Sequence, residues 1–345
     1  MESLYYVMAW ACHRKCRHCY EDRFRPYLRQ DLEAVVAEAE RNFPRIIANL
    51  PAQMTWREPA TDAVHGGRII LSGGEALLEA TRTRITYPVI EALTRKYAGQ
   101  DVRIVVQTTG DLLTPAIVRD LVERGVWMIS IASLDDFHVG LEGPEKQAAF
   151  LAKLTALFER TGVRPSESAR QNQAWYSEAG PLYSVFGATP GSWIGKLWPR
   201  GRAWANDLST ATLADNFCNR WSGGLGFLAT GQAGSEISVE PDGLAYPCCI
   251  KTKLPIGSLL DDRLEDILDS LRDDPVYQAI NAGAPERMGL AHGWTEQHFL
   301  DKSHTLTPAG TPYANLCIGC DAFHAEVLAP LVDAARLRRS AARAA

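Results

Sequence analysis

The chain has 345 residues, a formal charge of −5, and 46% hydrophobic and 22% charged residues. That length suits one large domain, or one of about 200 residues with a smaller companion, and the apolar fraction suits a packed core. The charge offers no basic footprint for nucleic acid, no run approaches the ~20 apolar residues of a membrane span, and the start MESLYYVMAW lacks the basic region and cleavage site of a signal peptide. A cytoplasmic protein with no nucleic-acid or membrane partner is expected.

Residues 4–10 (LYYVMAW) read as a buried strand that runs into a cysteine loop. Residues 31–50 read as a helix with a kink or break at Pro44. Residues 68–72 form a second buried strand, followed at once by Gly73-Gly74-Glu75. Residues 84–97 are helical and 102–108 strand-like. Thr114-Pro115 supplies an N-cap and first-turn pair for a helix to about Glu123. A strand over 126–133 and a helix from Pro144 to Arg160 complete at least four βα units. Such alternation predicts an α/β fold around a parallel sheet, with functional loops at the C-terminal ends of the strands. Residues 162–206 are irregular, with one strand at 182–187. Residues 235–249 predict a hairpin turning at Asp242-Gly243. A short helix over 261–272, a loop-rich stretch over 281–316 and a terminal helix over 322–343 follow.

The eight cysteines fall into two groups separated by the long gap from Cys19 to Cys218. Reduced thiols in such clusters read as metal ligands rather than disulfides. Cys12-x3-Cys16-x2-Cys19 is a compact triplet on a loop. Iron–sulfur clusters normally take four thiolates, so three leave one iron open for a substrate or cofactor. A zinc site, with His13 and His18 nearby, and a cluster completed by a distant fourth cysteine are the alternatives.

The C-x3-C-x2-C spacing, with Tyr20 beside it and on the loop after the first strand, resembles the radical S-adenosylmethionine (SAM) superfamily signature. Three further segments extend the resemblance in order over residues 4–160. Gly73-Gly74-Glu75 is similar to the segment that binds the SAM amino group, Gln107-Thr108-Thr109-Gly110 to the Thr-Asn-Gly region, and Ser133-Leu134-Asp135 to the segment near the SAM ribose. The resemblance implies a partial (β/α)6 TIM-like barrel over residues 1–206. It implies a [4Fe–4S] cluster on Cys12, Cys16 and Cys19, with SAM contacts from Gly73, Gly74, Glu75, Thr108, Ser133 and Asp135. Reductive cleavage of SAM to a 5′-deoxyadenosyl radical, which takes a hydrogen atom from substrate, is the implied reaction.

Cys317-x2-Cys320 reads as a metal hairpin, and Gly243-x4-Cys248 closes the predicted hairpin with Cys218 upstream. This set, after Gly201-Arg202-Ala203, resembles the Twitch domain, a shortened SPASM domain. The resemblance implies a small C-terminal β-hairpin/helix domain over 207–325, then a helix over 326–345. One auxiliary [4Fe–4S] cluster is implied on Cys218, Cys248, Cys317 and Cys320. Structural zinc has the same spacing. Cys249 is left over, with three readings: packing, an alternative ligand, or a hydrogen-atom donor in a redox-neutral epimerisation.

Asp136, His138 and Glu142 follow the fourth strand and read as solvated loop or pocket lining. Trp175, Tyr176, Tyr183, Trp193, Trp198, Trp204 and Trp221 read as a substrate surface or as packing. His292, His298, His304 and His324 show no metal pairing and are expected in solvent. The leading function is oxidative modification of a peptide or small molecule. An electron donor of the flavodoxin or ferredoxin type is implied, as is a separate peptide-recognition chain, since the first strand leaves no N-terminal extension for one. An isomerase using Cys249 and a non-catalytic metal-binding protein are the competing functions.

Overall fold

The computed structural model describes residues 1–167, 175–189, 196–219 and 223–332. Apolar runs become the strands β1 (Ser3–Val7), β4 (Arg68–Ser72), β5 (Arg103–Thr108), β6 (Val126–Ala132) and β8 (Leu182–Phe186), and the short polar segments β2 (Thr55–Arg57), β3 (Val64–Gly66) and β7 (Arg164–Pro165) are also strands. Later in the chain come β9 (Glu236–Val239), β10 (Leu244–Tyr246), β11 (Gly257–Ser258), β12 (His304–Leu306) and β13 (Pro312–Ala314). Nine of them form one sheet in the order β11-β10-β9-β1-β4-β5-β6-β8-β7. Neighbours from β9 to β7 pair in parallel, and β10 and β11 are antiparallel. The α/β class and the parallel, barrel-like but open sheet agree with the sequence reading; the described strands close no barrel.

Helices Arg29–Ala48, Tyr87–Lys96, Pro115–Glu123 and Pro144–Thr161 follow β1, β4, β5 and β6. Side chains alternate across a strand, and this sorts the two faces of the sheet. Leu4, Tyr6, Ile69, Leu71, Ile104 and Val106 point into the main core with the helix residues Val36, Ile90, Leu121 and Phe158. Tyr5 and Gln107 point the other way, where the Tyr5 hydroxyl donates to Gln107 Oε1 at 3.1 Å and lies 2.7 Å from Ser72 Oγ. Thr114 caps its helix as expected, its Oγ1 accepting from Ile117 N at 3.3 Å.

Several local expectations change. Pro44 sits inside an unbroken helix. It is exposed, so water can hydrate the carbonyl that proline leaves without a donor. The 235–249 hairpin forms, but β9 also pairs with β1, Ser3 opposite Glu236. The loop-rich 281–316 stretch contains the helix Glu296–Lys302 and the hairpin β12–β13. The last helix starts at Leu316, because Asn315 Oδ1 accepts from Cys317 N at 2.9 Å. Cys317 and Cys320 therefore lie on one helix face rather than on a hairpin. The end of the proposed terminal helix, beyond residue 332, lies outside the described residues.

Candidate active site and metal centres

The cysteine loop leaves β1 and is fixed on two sides. Cys12 N donates to Arg25 O at 3.1 Å, and Ala203 N donates to Cys19 O at 3.2 Å. Arg202, 9% exposed, threads its guanidinium into the loop. Nε donates to Cys16 O (2.8 Å), Nη2 to Phe24 O (2.7 Å), and Nη1 to Asp22 O (3.1 Å) and Glu21 O (3.4 Å). A five-donor fork suits several carbonyls at once. Gly201 lets this segment approach: a Cβ there would lie 2.4 Å from the Tyr20 carbonyl carbon.

Cys12, Cys16 and Cys19 line one cavity together with Gly73, Gly74 and Thr108. The strand ends β1, β4 and β5 thus bring these predicted residues together. Gly74 N donates to Ala9 O at 3.0 Å, and a Cβ on Gly74 would come within 2.3 Å of Ala11 O. The glycine is therefore required by the packing of the two loops on each other.

Glu75, Ser133 and Asp135 lie behind this wall. Glu75 is 2% exposed. Its Oε1 accepts from Leu77 N (2.9 Å) and Thr108 Oγ1 (2.6 Å), its Oε2 from Thr109 N (2.8 Å) and Thr109 Oγ1 (2.7 Å). Three of these donors are committed to Glu75, and the single Thr109 hydroxyl proton is shared with Asp111 Oδ1. Glu75 here ties the β4 loop to the β5 loop. Ser133 Oγ donates to Thr109 O at 2.7 Å. Asp135 Oδ1 takes Phe137 N (2.9 Å) and His138 N (3.1 Å) and lies 2.7 Å from His138 Nδ1, while Oδ2 takes Ala188 N (2.8 Å). Burial works against its charge, but His138 and the Ala188 N–H outweigh it and hold the carboxyl below its ordinary value.

His138 lines the cavity beside His18, ring centroids 4.8 Å apart. Asp136 instead accepts from Gly143 N at 2.9 Å, and Glu142 pairs with Lys146. His13 does not line the cavity, and its Nε2 lies 2.8 Å from Asp111 Oδ2.

A second, smaller cavity is lined by Cys218, Cys248, Cys317 and Cys320 with Arg200. The four residues expected as auxiliary ligands therefore share one site. Burial pushes the thiols up, to about 12 at Cys12 and Cys317 and about 11 at Cys19 and Cys248. A metal entering either site displaces these protons. A zinc tetrathiolate, with Zn–S near 2.3 Å, needs sulfurs about 3.8 Å apart. Among the described residues, the groups whose ligand atoms all lie within 4.8 Å are His18–Asp135–His138 and His13–Glu75–Asp111, with no thiol set among them.

Cys249 lines neither cavity. It is buried in a cluster with Trp198, Phe217 and Cys248, against which Tyr5, Tyr20 and Cys317 pack. Between the two cavities, Lys251 pairs with Glu21 (2.5 Å) and with Glu240, which also receives Arg23 at 3.0 Å. Arg23 stacks over Trp10 at 3.5 Å. Burial opposes the Glu21 charge, but Arg23 and Lys251 outweigh it and hold that carboxyl at about 2. This mixed-charge group ties the first cysteine loop to the segment after Cys248-Cys249.

The aromatic stretch divides. Trp198 joins the cavity and sits between Tyr20 (5.3 Å) and Phe217 (5.5 Å). Trp175 and Tyr176 pack with Trp56, and Tyr183 stacks on Phe158 at 4.3 Å. Trp204 meets Tyr313. Trp193 and Trp221 lie outside the described residues. His292, His298 and His304 are exposed as expected. His324 is the exception: it is fully buried with both ring nitrogens unpartnered, and burial lowers its pKa to about 4. Its place four residues after Cys320 was the available signal. Arg202 was the residue sequence reasoning named only as part of a junction.

No protein-family model and no curated protein matches the chain. Solved structures are similar to it. The structure of BtrN in complex with AdoMet and 2-DOIA shares 13% identity over 82% of this chain and 88% of that one, TM-score 0.43. Native anSMEcpe with bound AdoMet shares 14% over 97% and 100%, TM-score 0.42. Streptococcus suis SuiB bound to precursor peptide SuiA shares 14% over 81% and 66%, TM-score 0.41. These neighbours are radical SAM enzymes. No helix among the described residues is long and apolar enough to cross a membrane.

Proposed function

We propose that this chain is a radical SAM enzyme, with SAM and an open-iron [4Fe–4S] cluster in the first cavity and an auxiliary [4Fe–4S] cluster in the second. The observation that carries the reading is the convergence of Cys12, Cys16 and Cys19 with Gly73, Gly74 and Thr108 on one cavity at the ends of β1, β4 and β5. The donor chemistry fits, since three thiols line the first cavity and four line the second. When bound, the cluster and SAM supply a 5′-deoxyadenosyl radical that removes a hydrogen atom from the substrate.

The chain's own residues do the remaining work. Arg202 and the Ala203 N–H hold the ligand loop in shape. Glu75 fixes the β4 and β5 loops that form the cofactor wall. Tyr5, Tyr20, Phe24 and Trp198 give the cavity an apolar lining that excludes water from a reactive intermediate. On this reading Gly73, Gly74 and Thr108 contact SAM directly, while Glu75, Ser133 and Asp135 shape its site from behind.

The substrate is a peptide or small molecule that undergoes net oxidation. An electron donor of the flavodoxin or ferredoxin type serves the reaction, with a separate recognition chain if the substrate is a peptide. The division into 1–206, 207–325 and 326–345 is one of function, because β9 to β11 continue the main sheet. Anaerobic reconstitution tests the proposal. About eight irons per chain and release of 5′-deoxyadenosine from SAM are expected. Zinc in place of iron and no cleavage would overturn it.

A second reading, redox-neutral epimerisation, is favoured by one contact. Cys249 is buried against Tyr5 and Tyr20, both of which line the cavity, and it lies outside the auxiliary wall. A thiol hydrogen delivered past these rings would quench the substrate radical, and one electron from the flavodoxin- or ferredoxin-type donor with one proton from solvent would return the resulting Cys249 thiyl to the thiol. Cys249→Ala is then expected to keep hydrogen abstraction and lose the epimer. Unchanged turnover would return Cys249 to a packing role.

A further inference from the structure

The second thiol cavity holds an oriented ion pair. Arg200 lines it beside Cys218, Cys248, Cys317 and Cys320. The guanidinium is held bidentately by Asp321: Nη2 donates to Oδ1 at 2.8 Å, and Nη1 lies 2.8 Å from Oδ2. Asp321 follows Cys320 on the same helix but is not part of the cavity wall, and its side chain is 36% exposed against 16% for Arg200. The cation therefore lines the thiol cavity, while the carboxylate lies outside its wall. Lys251 also lines this cavity, but Glu21 and Glu240 occupy its ammonium group.

Four thiolates make an iron–sulfur cluster anionic, and reduction adds one more negative charge. Cluster potentials follow net charge, hydrogen bonding and solvent exposure. A fixed cation in a water-poor cavity stabilises the more negative state, and its effect is screened little there. Bidentate pairing to Asp321 holds the guanidinium in place, at the cost of some of its field.

We propose that Arg200, aligned by Asp321, raises the reduction potential of the iron–sulfur centre held by Cys218, Cys248, Cys317 and Cys320. The step it tunes is uptake of one electron, with no bond made or broken. This inference rests on the reading of that cavity as an iron–sulfur site.

The test is a potentiometric EPR titration, with dithionite as reductant, of the anaerobically reconstituted full-length protein. Added SAM shifts the signal of the N-terminal cluster and so identifies the other. Arg200→Gln is expected to lower the auxiliary midpoint, with an about tenfold smaller reduced-to-oxidised ratio at a fixed potential, or about 59 mV for one electron. Arg200→Lys restores most of that shift, and Asp321→Asn moves the midpoint upward. Midpoints unmoved in both Arg200→Gln and Asp321→Asn, or moved in the same direction, overturn the role. If Arg200→Gln fails to hold iron, Asp321→Asn decides alone: an upward shift supports the role and none overturns it. Zinc at this site in the unaltered protein defeats the reading of the cavity together with the role. An iron–sulfur signal with unmoved midpoints defeats the role alone.

Discussion

Simultaneous replacement of Cys12, Cys16 and Cys19 by alanine is expected to abolish release of 5′-deoxyadenosine and halve the iron, from about eight to about four per chain. The three thiols line one cavity and no other cysteine lines it, so no substitute ligand is at hand. Cys248 and its partners line a different cavity, and their iron should stay. The mirror experiment, Cys317→Ala with Cys320→Ala, also leaves about four irons but keeps substrate-free cleavage of SAM. Iron analysis and chromatography of the nucleoside read both. Cleavage that survives loss of the first triplet would show that another part of the chain activates SAM.

Arg202→Ala should have nearly as large an effect without touching a ligand. The guanidinium donates to four carbonyls of the cysteine loop, at Cys16, Glu21, Asp22 and Phe24. A hydrogen bond to a charged group contributes about 1.5–3 kcal/mol, and an acceptor left buried and unpaired costs more. A loss of about 3 kcal/mol or more of local stability follows from that range. The loop then holds Cys16 and Cys19 less firmly, and the N-terminal iron is lost while the auxiliary iron remains. Arg202→Lys should rescue only in part, because one ammonium cannot span the fork. Iron content and hydrogen exchange across residues 12–25 measure the effect. Wild-type values for both would reduce Arg202 to a surface-like role.

The strands β1, β4, β5, β6 and β8 were legible because short apolar runs bounded by turn residues carry their own signal, whereas β2, β3, β7, β12 and β13 lack such runs. Thr114-Pro115 and Asp242-Gly243 marked a helix start and a hairpin through chemistry confined to a few residues. The gathering of Cys218 with Cys248, Cys317 and Cys320 followed from thiol chemistry and a resemblance. What the sequence hid depends on partners distant in the chain. No periodicity in Glu236–Val239 announces that it will lie beside Ser3–Val7. Nothing around Glu75 announces that Thr108 and Thr109 will occupy its oxygens. The same holds for Arg202, whose four acceptors all come from residues 16–24. The aromatic stretch stayed open between a substrate surface and packing because composition alone does not say which rings share a face.

The place of β1 between β4 and β9 also sets the order in which the molecule can be completed. Domains tend to fold from the N-terminus during synthesis, and contacts of long sequence separation form late. The first strand emerges early, yet one of its two edges has no partner until Glu236–Val239 has left the ribosome. Arg202 and Lys251, which brace the cysteine loop, also arrive late. A nascent chain of about two hundred residues therefore carries all three N-terminal thiols on a loop that still lacks Arg202 and Lys251. Its full set of braces belongs to the finished polypeptide.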